Sequence, residues 1–568
     1  MHPLDIIVLL GTLGFIVVYG AIKTRGQKDM HSYLRSGGEK KWWAICLSIM
    51  ATQASAITFI STPGQAYESG VGFIQIYFGL PLAMIVISAV FIPKFYSLNV
   101  YTAYEYLEGR FNVQTRYLIA FFFLLSRSLG AGITIYAPAI ILSTLFGLNL
   151  NLLCLLIGLA VIIYIYVGGE RAVSQTQVMQ MTVILSGMAV ALFMLIKFLP
   201  TGVSLTDAVY IAGKMGKMKA VDTHFNFDER YNLWSGLLGG FFLSLSYFGT
   251  DQSQVSRYLG GESVNQSKLG LFFNGMVKIP MQFFILFIGV MMYVFFLFHH
   301  SPVFFNNTAL EKANLSAAVK QQIADREKQH SVLEIEINQA TLDAVHQRNT
   351  PAESASIEKV KSLEAEDQAT RADVKQIIKT NAPGVETHDT DYVFLEFVLH
   401  NLPVGIVGLL LAVMFCAAMS STAGQISSLA STTIVDFYQR AVHKNASQMH
   451  YVSSTKIATL LWGAITVGFA ITLPFFDNLI QAVNILGSLF YGTLLGVFLV
   501  AFFFKKIEGR AAFYASLITE LVIINLHIYL TVSHSKLSYL WYNPIGALLV
   551  IVLSYAITLF SPSRTKAA

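Results

Sequence analysis

Ala51-Thr52-Gln53-Ala54-Ser55-Ala56-Ile57-Thr58-Phe59-Ile60-Ser61-Thr62-Pro63-Gly64 decides how this chain is read. The stretch sits inside an apolar run, 44–68, long enough to cross a bilayer. Yet it carries Thr52, Gln53, Ser55, Thr58, Ser61 and Thr62 in close succession. In hydrocarbon an unpaired polar group is costly, so such a cluster marks a pathway, a ligand or a helix contact. Helix–helix adhesion through small and hydroxyl side chains is the plainer reading, and both stand at this point. Pro63–Gly64 is expected to weaken the helix C-terminal to the cluster.

The rest of the chain supports a membrane setting. Of 568 residues, 54% are hydrophobic and 12% charged, and soluble proteins carry about twice that charged share. Apolar runs of spanning length recur, and thirteen spans are read from the sequence. They lie near 4–22, 44–68, 72–96, 117–146, 150–168, 174–199 and 233–258, then 269–299, 395–438, 454–474, 479–504, 510–531 and 542–560. The 395–438 run is too long for one span and is expected to continue into the cytoplasm. The run from Leu4 to Ile22 lacks a basic leader and reads as a retained helix. Cys46, Cys154 and Cys416 all fall in apolar runs and read as buried small hydrophobes.

Net charge is +5, with Lys and Arg recurring in short loops, which points to topology rather than to nucleic acid. Lys23, Arg25, Lys28, Arg35, Lys40 and Lys41 follow the first span. Arg110, Arg116, Arg171, Arg257, Lys268, Arg440, Lys444, Lys505, Lys506 and Arg510 fall in alternate loops after it, and Arg564 and Lys566 close the chain. The N-terminus is therefore expected outside and the C-terminus inside, in a plasma or inner membrane. Residues 300–391 break the apolar pattern. They are rich in Glu, Lys, Gln and Ala, and 310–347 has helix-forming composition, so an extracytoplasmic helical hairpin is expected there, with a disordered loop as the alternative.

Two further polar clusters lie within spans. Ser244, Ser246, Tyr247, Gly249, Thr250, Asp251, Gln252 and Ser253 follow Gly239–Gly240 in the seventh. Asp251 there is either functional or paired with the nearby Arg257. Ser420, Ser421, Thr422, Gly424, Gln425, Ser427, Ser428, Ser431, Thr432 and Thr433 crowd the ninth. Hard cations such as sodium favour hydroxyl and carbonyl oxygens, which an unwound helix can complete. The first and second clusters lie five spans apart, and broken helices at corresponding positions of two five-span halves mark an inverted-repeat carrier.

At these residues the chain resembles the sodium:solute symporter family. The resemblance rests on Ser55-Ala56-Ile57-Thr58, on Tyr104-Glu105-Tyr106-Leu107-Glu108-Gly109-Arg110-Phe111 and on Tyr136-Ala137-Pro138-Ala139. Gly249-Thr250-Asp251-Gln252-Ser253-Gln254, Met419-Ser420-Ser421 and Asp436-Phe437-Tyr438 extend it. It covers nearly all spans and leaves 300–391 outside. The resemblance implies an all-α membrane fold with a ten-helix core of inverted repeats, one helix before it and two after. The chain then divides as 1–43, 44–199 (core helices one to five), 200–299 (six and seven), the 300–391 insert, 392–506 (eight to ten) and 507–568.

Carried over residue by residue, the resemblance implies sodium ligation by the carbonyls of Ala51, Ala54 and Ala417 and the hydroxyls of Ser420 and Ser421. A second ion site of some members falls on Gln177, Ala423 and Gly424, where carboxylate and hydroxyls are both missing, so one sodium per solute is expected. The solute is expected against Gln53, Ser55, Thr58, Tyr77, Ser244, Tyr247, Lys278 and Gln481. The first and third core helices and 481–498 are similar to the monocarboxylate, vitamin and iodide branch, which implies a small carboxylate. Sugar carriers place a Glu where Tyr77 stands, and sialate carriers an Arg where Gly130 stands. Arg127, one turn away, either substitutes for it or, the favoured expectation, serves structurally on the cytoplasmic side. Lys278 aligns with a lysine of the sugar carriers, and a snorkelling role near the inner face is its alternative. Tyr247 matches an aromatic that closes the sugar site from inside. A sugar, polyol or sialic acid is thus the alternative solute, and a solute sensor the more distant one. No output domain, selectivity filter, HExxH, GxSxG or paired carboxylates are found, so sensor, channel and enzyme readings fall behind.

Overall fold

The computed structural model describes residues 2–560 except 24–29, 36–37, 99, 307–309, 311–314, 383–386, 473–478 and 536. Arg25, Lys28, Arg564 and Lys566 therefore lie outside the described residues. Helices dominate, and the β-type contact found among the described residues is an isolated bridge between Lys40 and Gly261. In chain order the first half holds α1 (Pro3–Lys23), the half-helices α2 (Trp42–Gln53) and α3 (Ala56–Ser69), α4 (Val113–Phe146) and α5 (Leu150–Lys197). The half-helices α6 (Gly240–Thr250) and α7 (Gln252–Leu259) follow, then α8 (Val264–Phe298). A polar pair, α9 (Ala317–His346) and α10 (Glu353–Asn381), precedes the short α11 (Val393–Asn401) and α12 (Ile406–Thr432). The chain ends through α13 (Gln448–Thr472), α14 (Leu479–Phe503), α15 (Gly509–Val532) and α16 (Tyr542–Phe560).

Ten helices among the described residues are long and apolar enough to cross a membrane, against thirteen spans read from the sequence. Backbone breaks explain most of the difference. The 44–68 run divides at Ala54, and its second half continues with the next run as Ala56–Ser97. The 150–168 run keeps only Leu150–Ile163 as a shorter apolar helix. The 233–258 run divides at Asp251 into pieces too short to count.

Each break has a local cause. At Ala54 the backbone leaves the helical region (φ −83°, ψ 81°), and Ser55 starts α3 from extended geometry. The last carbonyls of α2 are thereby left without helical N–H partners. At Asp251 (φ −80°, ψ 118°) the carboxylate accepts from the Ser253 N–H at 2.9 Å and its hydroxyl at 2.6 Å, capping α7. Inside α5, Gly169 sits at φ 55°, ψ −156°. The Tyr33 ring lies 2.7 Å from where a Cβ would stand, so only glycine fits.

Pro63–Gly64 proves not to be the break. Both lie inside α3, which runs on to Ser69. The pair serves close packing instead. A Cβ on Gly64 would come within 1.9 Å of the Thr390 carbonyl oxygen, and one on Gly289 of α8 within 2.2 Å of the Pro63 carbonyl oxygen. The C-terminal half of α3 is thus clamped between α8 and residues 390–392.

The long 395–438 run is also subdivided. α11 ends at Asn401 and α12 begins at Ile406, with Asp5 of α1 accepting from the Gly405 and Gly408 N–H groups at 2.6 and 3.1 Å. A π-helical stretch, Thr433–Val442, extends α12 at its far end. From Leu410 to Thr432 every residue of α12 is buried, among α1, α4, α5 and the half-helices. A helix surrounded in this way needs partners for its hydroxyls on every side.

Between α8 and α11, α9 and α10 form the expected hairpin, turning through Asn349 at φ 62°. His330 of α9 is fully buried and bonds Asp367 of α10 through Nδ1. Its Nε2 lies 2.9 Å from the Ser301 carbonyl and 3.1 Å from Glu334. Both ring nitrogens donate, and the two carboxylates outweigh burial and hold the imidazolium up to about 9. The same hydrogen bonds hold Glu334 down to about 2. Arg371 closes the group, bonding Asp367 at 2.8 Å and the Pro302 carbonyl at 2.9 Å. This cluster ties the hairpin to the end of α8.

Candidate functional site

The two interrupted helices meet at one cavity of about 120 Å³ near the middle of the bundle. Gln53, Ser55 and Thr58 reach it from the first break, Tyr77 from the 3-10 stretch Gly70–Tyr77, and Ser244 and Tyr247 from α6. Six of the eight predicted solute residues therefore share one wall system. Ser421 and Gln425 of α12, Thr134 of α4 and Asn484 of α14 add neutral polar groups. Ile57, Ile76, Leu243, Phe248 and Val483 make the apolar part.

Lys278 and Gln481 lie elsewhere. Lys278 does not line the cavity. It is fully buried behind it, with Nζ 5.3 Å from the Tyr77 ring centroid and no hydrogen-bond partner among the described residues. Such burial is incompatible with snorkelling. Gln481 lines a separate depression with Asp228, Glu229, Tyr231 and His527, and accepts from Arg230 at 2.7 Å.

Arg127 is the charged residue among those lining the cavity. Its guanidinium bonds Asp251 and the Tyr491 hydroxyl and lies over the Tyr247 ring, 5.3 Å from the centroid. Its Nε is buried and has no partner among the described residues. Asp251 therefore pairs with Arg127, 124 positions away, and not with Arg257. Arg257 pairs with Glu170 of α5. The structural role expected of Arg127 is present, but at the cavity floor. Tyr247 is held there by Gln254, whose amide donates to its hydroxyl at 2.6 Å. Sequence reasoning named Arg127 but favoured a structural role, because its partner lies far along the chain. Gln425 could have been found: it falls one turn after Ser421 in the hydroxyl-rich run.

Beside the cavity, α2 and α12 face each other. The Ser420 hydroxyl lies 3.0 Å from the Ala51 carbonyl and 3.0 Å from the Ala417 carbonyl. The hydroxyl shares its proton between the two carbonyls and so joins the end of α2 to α12. Ser421 Oγ accepts from Gln425 at 3.1 Å and faces the cavity. Ala54 stands at the break itself. The donors are all neutral oxygens, which suits a weakly bound, exchangeable monovalent cation.

The positions of the second ion site look different. The Gln177 amide donates to Thr52 Oγ1 at 2.9 Å and to the Ser420 carbonyl at 3.1 Å, and accepts from Ser48 Oγ at 2.5 Å. Ala423 is packed among Val161, Ile165, Val173 and Ile426. At Gly424 a Cβ would lie 2.6 Å from Nη2 of Arg257.

Two broken helices that share a polar cavity suit a secondary carrier. A family model described as the sodium:solute symporter family matches residues 33–324 and 372–519, and the chain belongs to that family. Sodium is its coupling ion. The unmatched 325–371 falls inside the hairpin. A sodium/sialic acid symporter of Proteus mirabilis is 25% identical over 98% of this chain and 95% of its own. The human sodium-coupled monocarboxylate transporter 1 is 32% identical over 48% of this chain and 44% of its own. The fold is similar to that of a solved Na+-coupled sialic acid symporter, substrate-bound and outward-open, with a TM-score of 0.74 over 99% of each chain at 22% identity.

Proposed function

We propose that this symporter imports a small carboxylate, one sodium ion per solute, by alternating access. The observation that carries the carboxylate is Arg127, the cationic group on a wall otherwise made of amides, hydroxyls and apolar side chains. A carboxylate reaching the floor would bond the partnerless Nε while Asp251 and Tyr491 keep the guanidinium in place. The cavity's volume of about 120 Å³ favours a compact solute. Similarity to human monocarboxylate transporter 1 supports the same class. The longer similarity to sialic acid symporters keeps a sialate, itself a carboxylate, as the second reading.

Sodium would sit among the Ala51, Ala54 and Ala417 carbonyls and the Ser420 and Ser421 hydroxyls. It would thereby join α2 to α12 and fix the wall that Ser421 shares with the cavity. Each ligand then raises the other's affinity, and a tenfold effect needs about 1.4 kcal/mol. A neutral amide and a guanidinium at the second-site positions support a single ion. The basic loops support an N-terminus outside, a cytoplasmic C-terminus and a hairpin on the outer face. The cycle involves no covalent step. A thermal-shift panel of monocarboxylates, sialates, sugars, polyols and vitamins, each in sodium and in potassium, tests the reading. Stabilisation by a monocarboxylate in sodium alone supports it, whereas a sugar or polyol acting alone overturns the carboxylate.

A further inference from the structure

Away from the cavity and away from the hairpin, two rows of residues lead on from the proposed cradle. On α5 they are Gln177, Ser174 and Glu170, and on α12 they are Ser420, Gly424 and Ser427, both at helical spacing along one face. The rows meet in a buried charge cluster. Glu170 bonds Nη1 of Arg257 from α7, and its other oxygen accepts from Ser427 at 3.2 Å. Lys40, just ahead of α2, donates to Ser174 at 2.6 Å and lies 4.0 Å from Glu170. Four chain segments thus converge on one carboxylate at the end of these rows.

The charges do not balance: two cations share one anion. Net positive charge across these rows opposes passage of a cation in a low-dielectric setting. The closure is also reversible by construction. Nη2 of Arg257 has no partner among the described residues and rests against Gly424. Glu170 follows the non-helical Gly169, where α5 already bends.

We propose that Glu170 is a latch that holds Arg257 and Lys40 across the sodium exit, so that sodium leaves only when the latch opens. The proposal rests on the cradle reading above. Without Glu170 two buried like charges face each other with no counter-ion, and the arrangement opens. Removing Arg257 as well relieves that repulsion.

The test is solute-free flux of radiolabelled sodium into proteoliposomes holding the full chain. Glu170→Gln is expected to raise the leak about tenfold, and Glu170→Gln with Arg257→Gln to bring it back within about threefold of the parent, because the repulsion is pairwise. Lys40→Gln, at the rim of the cluster, is expected to raise the leak about threefold and carries the test should Glu170→Gln not fold. A parent-like leak in Glu170→Gln, a double variant that leaks as much as the single one, or an unmoved Lys40→Gln overturns the latch. Sodium binding to solubilised Ser420→Ala separates the two readings. Full binding there removes the cradle, whereas lost binding beside a parent-like leak in Glu170→Gln removes the latch alone.

Discussion

The two breaks do opposite things with the same geometry. At Ala54 the helix stops among small neutral residues, and the freed carbonyls face a serine hydroxyl. At Asp251 the helix stops on a carboxylate that caps the next segment and holds an arginine. At the first break the neighbouring groups are neutral; at the second an arginine is built in. A broken helix is therefore not by itself an ion site. What counts is whether the chain has already filled the gap.

That contrast predicts a large cost in stability at the second break and, on the proposed sodium site, a loss of ion binding with little loss of stability at the first. Asp251→Ala strands a buried guanidinium and is expected to cost about 3–5 kcal/mol, seen as a large fall in the thermal midpoint. Adding Arg127→Met should return most of it, and a double variant as unstable as the single one would break the comparison. Ser420→Ala is expected to leave the sodium-free midpoint almost unchanged while weakening sodium binding about 100-fold, or ~2.7 kcal/mol, in a titration.

Away from both breaks, His330→Gln is expected to cost about 2 kcal/mol near pH 6 through loss of a buried ion pair. The sign follows from the raised folded value. The His330 contribution is fully present below about 6.5, its ordinary pKa, and disappears as pH climbs through about 9. Parent and variant melting curves should thus converge in alkali. Glu334 works the other way, its contribution fading as pH falls toward about 2. Lys278→Ala removes the cation behind Tyr77 and is expected to raise KM for an anionic solute about fivefold, near 1 kcal/mol. Gln481→Ala, in the separate depression beside Arg230, should change uptake by less than about twofold. A large effect there would move the solute site to that depression.

The sequence carried the polar clusters and the helices of the hairpin because each is written in neighbouring residues. Ser420 and Ser421 stand in a run of hydroxyls that hydrocarbon would not tolerate without purpose. The first break was misplaced because Pro63–Gly64 looks like an interruption. In fact proline fits the helix there, and the glycine answers to Thr390, more than 300 positions away. Asp251 was flagged, but its partner was not. Arg257 is the nearer arginine in sequence, yet Glu170 holds it, and only the packing of α4 against α14 brings Arg127 and Tyr491 to Asp251. Lys278 and Gln481 were assigned by position along a helix, and position does not say which of several faces a side chain occupies.

The contact at Gly64 has a practical side. Backbone meets backbone there with no side chain to absorb play, so the half-helix beside the solute and the strap at 390–392 must travel as one piece. The strap joins the hairpin, whose Ile335 stands 73% exposed at a distance from every group discussed as functional. A fluorophore fixed at that position would ride the stroke of the carrier, turning the polar hairpin into a pointer that reports turnover without touching the machinery.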